Sequence, residues 1–431
     1  MGRASLQRLV ACNALVVLAL ALYWPAAAAW FYEDDLQWLA GTLTFEPGHL
    51  FDLSAQQHFF RPVISLYFWA ATPLFDGSPV LFHWANHVLH AANALLVFLL
   101  AGALGFKPRF AWLAAVFFVS MPAYIEAITW VSALAEPVTT FFGIVSVYGL
   151  LRWRRGGPAG WRVLSVGAFA LALMTHESAV VLLPLLVLAD WAFVPGERRV
   201  PLWQAPVERL RRYPPYLGVL ALYLAADLTV NQSHYLVDEG HYRLGFHAIE
   251  NGLSYVVTLY AGKRNLPSFV MVGVGLSLLL LRGTPRVVFA TAWLLLAILP
   301  FSFFTWSTTS RYAYMPAVGM ALLLVEGLAW LEAQLVRRMP RPASLAVIGL
   351  LGAFIAVRFA LFAAENIENF SARTERFRDL AAAIRARHPD PPPGTRIPVD
   401  AETVEAFQFR YVEALVQWEF RDPMLRVVVK P

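Results

Sequence analysis

The 431-residue sequence contains one cysteine, Cys12, so no disulfide can form within the chain. Charge is scarce too: 15% of residues are Asp, Glu, Lys or Arg, against 58% hydrophobic, with a mean hydropathy of +0.55. A soluble globular domain carries about a quarter charged residues and about half apolar ones, which excludes that class. No sequence period of about 20 to 50 residues is visible, so tetratricopeptide-like arrays are excluded. No GxxxxGK or GxGxxG loop is present, which argues against a cytosolic nucleotide as substrate. The net charge of +5 does not point to nucleic acid, because the basic residues follow membrane topology.

What the sequence has instead is a series of apolar segments of about 15 to 25 residues, as bilayer-crossing helices require. They predict an all-α polytopic membrane protein with about eleven spans, near 9–31, 79–104, 110–129, 132–151, 162–175, 178–194, 214–230, 267–281, 286–303, 313–335 and 343–363. Tryptophan and tyrosine concentrate near the segment ends, as in aromatic belts. The short segments 162–175 and 178–194, divided by Thr175-His176-Glu177, read as two tilted crossings or one broken hairpin.

Loop charge orients the chain. Alternate loops, starting with Arg3 and Arg8 and including 198–212, hold about 18 Lys/Arg against about 2 Asp/Glu; the opposite loops, leaving out the tail, hold about 5 against about 12. The first set is expected in the cytosol, with the N-terminus, and the C-terminal tail on the extracytoplasmic side. Arg3, Arg8 and Ala26 to Ala29 also fit a signal peptide, but the apolar run continues through Trp30-Phe31-Tyr32, so an uncleaved first helix is expected. We divide the chain into a membrane domain, 1–363, and a small α/β tail, 364–431, too short for a large core of its own. The tail should pack on the outer face. Asn231-Gln232-Ser233 and Asn369-Phe370-Ser371 are sequons on that side.

Polar residues beside spanning helices are costly and point to function. Here they gather at the outer ends. Glu33-Asp34-Asp35 leaves the first helix, and Arg61-Pro62 opens a short interfacial segment. His83, Asn86, His87 and His90 share one helical face; two histidines at that spacing could hold a metal, and interhelical hydrogen bonding is the other reading. Glu126 and Glu136 flank the next outer hairpin, followed by His176-Glu177. Arg311, between hydroxyls and Tyr312 and Tyr314, suits a phosphate, because guanidinium offers paired donors in one plane.

The acidic pair, Arg61-Pro62, Phe82-His83-x-x-Asn86-x-x-x-His90, Glu136, His176-Glu177 and Arg311-Tyr312-x-Tyr314-x-Pro316-x-x-Gly319, in that order, resemble the GT-C superfamily of membrane glycosyltransferases. The resemblance covers roughly residues 1–335 and is nearest to the transmembrane half of the transmembrane-and-tetratricopeptide-repeat O-mannosyltransferases and their bacterial relatives. It implies a polyprenyl-phosphate sugar donor and transfer on the outer side. Asp34 or Asp35 would be the catalytic base or acceptor-orienting carboxylate, with Arg311, Arg61, Tyr312 and Tyr314 at the donor phosphate. His83, Asn86, His90, Glu136, His176 and Glu177 would line or support the pocket. No cofactor is implied with certainty; a divalent metal and an acceptor that is protein, lipid or glycan stay open. His176 stands where the family usually has Lys, and the repeat domain is missing. Such chemistry needs a base for the incoming hydroxyl and positive charge on the departing phosphate. The alternatives are a transporter or flippase, which would carry polar groups near the midplane of broken helices, and an inactive relative.

Overall fold

Prolines punctuate the chain. Fixed φ and a missing N–H suit proline to the first helical turn, and Pro62, Pro79, Pro108, Pro214 and Pro285 each open a helix. The computed structural model describes residues 3–53, 59–197, 213–230, 235–262, 264–306 and 308–430. The basic loop 198–212 and the sequon at Asn231 lie outside these residues.

The helices are α1 (Arg3–Tyr23), α2 (Asp34–Gly41), α3 (Pro62–Leu74), α4 (Pro79–Ala103), α5 (Pro108–Ser120), α6 (Glu126–Thr129), α7 (Ala135–Arg154), α8 (Gly160–Leu173), α9 (Leu182–Phe193) and α10 (Pro214–Val230). They continue with α11 (Tyr235–Asp238), α12 (His247–Ala261), α13 (Leu266–Leu280), α14 (Pro285–Ser302), α15 (Tyr314–Leu335), α16 (Arg341–Arg387), α17 (Ala401–Phe407) and α18 (Phe409–Glu419). Strands β1 (Arg396–Asp400) and β2 (Arg426–Lys430) pair in parallel. The chain is a polytopic α-helical membrane protein.

Each expected span falls on a helix, but not all are full crossings. Among the described residues, six helical stretches are long and apolar enough to cross a bilayer: Leu6–Ala28, Pro79–Ala103, Val131–Arg154, Pro285–Ser302, Ser310–Leu335 and Arg341–Arg387. The others are shorter. The segment expected at 110–129 breaks after Ser120, where Met121 turns extended before Pro122 and short turns carry the chain on to Thr129. The 162–194 region resolves into α8 and α9 joined by the turn Glu177–Val181. Helix α12 was not foreseen in the polar loop that contains it.

Loop residues of the two expected sides segregate. Arg155 donates to the Ala103 and Phe193 carbonyls, Arg154 pairs with Asp190 and Glu197, Arg109 pairs with Glu332, and Arg286 pairs with Glu326. At the other end, the tail closes over the first outer loop. Its small sheet and α18 bury Tyr411, Val412, Leu415 and Trp418 in one core with Phe31, Leu36, Leu39 and Phe68. Helix α16 runs unbroken from Arg341 to Arg387, so the membrane helix expected at 343–363 and the charged helix of the tail are one rod.

Gly319 sets the closest helix contact. A Cβ there would stand 2.6 Å from the Ala290 carbonyl oxygen and 2.7 Å from the Leu294 nitrogen, so α15 lies directly on the α14 backbone. Trp293 Nε1 donates to the Met315 carbonyl at 2.9 Å across the same contact. That contact fixes the turn Ser310–Ala313, which carries Arg311.

Candidate active site

A cavity at the end of the molecule that carries the tail is lined by Asp34, Trp38, Arg61, Trp130, Glu136, His176, Glu177, Arg311 and Tyr312, with Phe301, Phe304 and Trp306 along one wall. Chain segments far apart in sequence therefore deliver their polar groups to one place.

Asp34 and Asp35 begin α2 but point apart, as neighbours about 100° apart on a helix must. Asp35 is buried. Its Oδ2 accepts from the Tyr32 N–H at 2.9 Å and its Oδ1 from the Ser132 N–H at 2.6 Å, clamping the first outer loop to the turn Val131–Leu134. Burial pushes its carboxyl up to about 8, against those N–H donors, which favour the charge. Asp35 does not reach the cavity. Asp34 does, and its Oδ1 accepts from the Tyr411 hydroxyl at 2.9 Å. The preceding residue, Glu33, has φ of +44°, an uncommon conformation for a non-glycine residue. It sits where the chain turns sharply into α2.

Arg61 precedes α3 and meets Glu177 at two points, Nη2 to Oε1 at 2.6 Å and Nε to Oε2 at 3.0 Å. Its charge is matched by Glu177, and its side chain lines the cavity. His176 Nδ1 accepts from the Ser178 N–H at 3.2 Å. Its Nε2 lies between Arg61 Nη2, at 3.1 Å, and Glu136 Oε1, at 3.4 Å. Burial lowers the His176 pKa to about 3, with the Arg61 charge acting the same way, so the ring is neutral at pH 7.

Arg311 is different. Its guanidinium lies 4.8 Å from the ring centres of Trp130 and Tyr312, and Nη2 donates to the Tyr312 hydroxyl at 3.3 Å. Tyr312 stacks on Phe301 at 4.1 Å, beside Phe304 and Trp306. Among the described residues no carboxylate lies within ion-pair distance of this guanidinium, so a cation on an aromatic platform faces the cavity.

Other expected pocket residues lie beneath the site. Tyr314 does not reach the cavity; its hydroxyl lies 2.7 Å from His90 Nδ1 and accepts from Asn93 Nδ2 at 3.1 Å. His83, Asn86 and His90 are buried in the helix bundle. Asn86 donates to the Trp130 carbonyl at 3.4 Å, and Trp130 Nε1 donates to the Tyr32 carbonyl at 3.0 Å. Asn86 thus ties α4 to the hairpin that carries Trp130, and His90 meets Tyr314 on α15. Among the described residues no three His, Cys, Asp or Glu side chains gather as a ligand set. Glu177 is turned to Arg61, Glu136 to His176 and Asp34 to Tyr411. Trp130 and the Phe301–Trp306 wall were missed, because aromatic residues at helix ends read as belt residues.

No protein-family model and no curated protein matches the sequence. Solved structures match in fold. The archaeal oligosaccharyltransferase AglB from Archaeoglobus fulgidus, in complex with an inhibitory peptide and a dolichol-phosphate, superposes with a TM-score of 0.55 at 12% identity, covering 97% of this chain and 64% of that one. The same enzyme tethered to an acceptor peptide gives 0.58 at 13% identity, with 98% and 64% covered. ArnT from Cupriavidus metallidurans, bound to undecaprenyl phosphate, gives 0.53 at 15% identity, with 96% and 85% covered. This chain thus spans just under two thirds of the oligosaccharyltransferase. It has the fold of the GT-C membrane glycosyltransferases.

Proposed function

We propose that this protein is a membrane glycosyltransferase that moves a sugar from a polyprenyl-phosphate donor to an acceptor on the extracytoplasmic side. The observation that carries the reading is the meeting within one cavity of a carboxylate, Asp34, with a cation, Arg311, that has no carboxylate at ion-pair distance among the described residues. A phosphate-linked sugar has a good leaving group and needs no general acid. Asp34 accepts the proton of the acceptor hydroxyl on its free oxygen. The acceptor oxygen forms the new bond to the anomeric carbon as the bond from that carbon to the phosphate oxygen breaks. The electron pair leaves on the phosphate, where Arg311 receives the charge. A single displacement of this kind inverts the anomeric configuration.

The lipid phosphates named with the AglB and ArnT structures support a donor of that class. The charge bias supports a cytosolic N-terminus and an extracytoplasmic tail, with residues 364–431 as the outer unit. A transporter would place polar groups near the midplane at broken helices, whereas Asp34, Arg61, Glu177 and Arg311 here gather in one cavity at the end of the molecule that carries the tail. The test incubates purified protein with polyprenyl-phosphate sugars, mannosyl first, and measures release of polyprenyl phosphate. Release that depends on an added acceptor supports the reading; no release from any donor, with lipid movement across vesicles instead, overturns it.

A further inference from the structure

We propose that the C-terminal tail completes the active site by supplying Tyr411 as the positioning residue of Asp34, an inference that rests on the glycosyl-transfer reading. Tyr411 lies 377 positions from Asp34 in sequence, yet its hydroxyl donates to Asp34 Oδ1 at 2.9 Å. The direction of that bond is dictated by chemistry. Arg410 Nη2 lies 2.9 Å from the same hydroxyl oxygen, and its guanidinium is 4.6 Å from the tyrosine ring centre. A guanidinium only donates. The hydroxyl therefore accepts from Arg410, and its single proton is committed to the carboxylate.

The hydroxyl is held in place from behind. Tyr411 is buried, and α18 packs on α2 through Val412, Leu415 and Trp418 against Leu36 and Leu39. Trp418 also meets Phe31 edge-on at 6.4 Å. Asp34 and Tyr411 thus stand on two helices locked by one apolar core. The consequence for the reaction is geometric. With Oδ1 held by Tyr411, Oδ2 is the oxygen left to take the acceptor proton, and the carboxylate cannot rotate away from the cavity. A base fixed in this way meets the positional tolerance of about half an ångström that catalysis demands. The tail would then be a working part of the catalytic centre.

The experiment uses the full chain. Tyr411→Phe keeps the ring in the core and removes only the O–H. With a polyprenyl-phosphate sugar as the probe, kcat should fall about tenfold, the scale of one hydrogen bond to a charged group, while KM for the donor is unchanged. In an Asp34→Asn background the same change should cost nothing further. A second readout is independent of turnover. Tyr411→Phe should lower the thermal midpoint by about a few degrees in the wild type and leave it unmoved in Asp34→Ala, where the acceptor is gone. Normal kcat in Tyr411→Phe with Asp34→Asn inactive overturns the proposal and leaves the glycosyltransferase reading intact. An equal thermal loss in both backgrounds also overturns it, because the hydroxyl then acts elsewhere. Full transfer by Asp34→Asn strikes the glycosyltransferase reading itself, and the thermal cycle still decides whether the pair exists.

Discussion

Arg61 and Glu177 face each other as a two-point ion pair across the mouth of the cavity, with 2.6 Å and 3.0 Å contacts. Burial pushes the Glu177 carboxyl up, but the Arg61 charge and its hydrogen bonds pull harder and hold it at about 2. An unfolded Glu titrates near about 4.3. The folded pKa is depressed, so the stabilisation is present above the unfolded value and is lost as pH falls from about 4.3 towards 2. Glu177 is 40% exposed, so the contribution is on the order of 1 kcal/mol. Thermal midpoints at pH 6 and pH 3 check this: Glu177→Gln should flatten the acid-side fall relative to wild type, and an unchanged fall would refute the pairing.

Arg311 differs from Arg61 in having no carboxylate within ion-pair distance among the described residues, which is why we propose it as the phosphate contact. Arg311→Lys keeps the charge but loses the planar fork and its stacking on Trp130 and Tyr312. We expect transfer to fall by about tenfold or more, since charge-assisted bonds contribute about 1.5–3 kcal/mol, and Arg311→Ala to lose more. Initial rates of polyprenyl-phosphate release in folded variants decide it. Normal turnover in both would make Arg311 an interface anchor.

Orientation is open to a direct measurement. Reporters fused at Gly157 and at the C-terminus should be active on opposite sides, the first in the cytosol and the second outside it. The same side for both would break the arrangement, because the tail and the cavity share one end of the molecule.

Much of this was legible in the sequence, for identifiable reasons. Span positions follow from apolar length, and helix starts from proline, because both are local properties. The cavity residues Asp34, Arg61, Glu136, His176, Glu177, Arg311 and Tyr312 stood out as polar groups at outer helix ends. What could not be read was direction. Nothing local says that Arg61 is spent on Glu177 or that Tyr314 points down to His90, since both depend on long-range packing. Tyr411 was illegible for the same reason: its partner is contributed by the opposite end of the chain.

The division of labour between Asp34 and Asp35 is the sharpest test of the site. Asp35 accepts two backbone N–H groups and joins two outer loops, so its removal should act on the fold. Asp35→Ala leaves the Tyr32 and Ser132 donors without a partner, at a cost of about 1–3 kcal/mol per group, and should show as a lower thermal midpoint and reduced yield. Asp34 lines the cavity with an oxygen free to take a proton. Asn is nearly the same shape and still accepts from Tyr411, but it cannot act as a base. Asp34→Asn should therefore keep the midpoint and donor binding and cut transfer by about 10²–10⁴-fold, the usual scale of general-base catalysis. The measurement pairs a transfer assay with thermal unfolding for each single variant. If Asp35→Asn loses transfer at an unchanged midpoint while Asp34→Asn turns over normally, the roles are reversed. If both transfer at full rate, the carboxylates do no chemistry, and a transport function becomes the better account of the cavity.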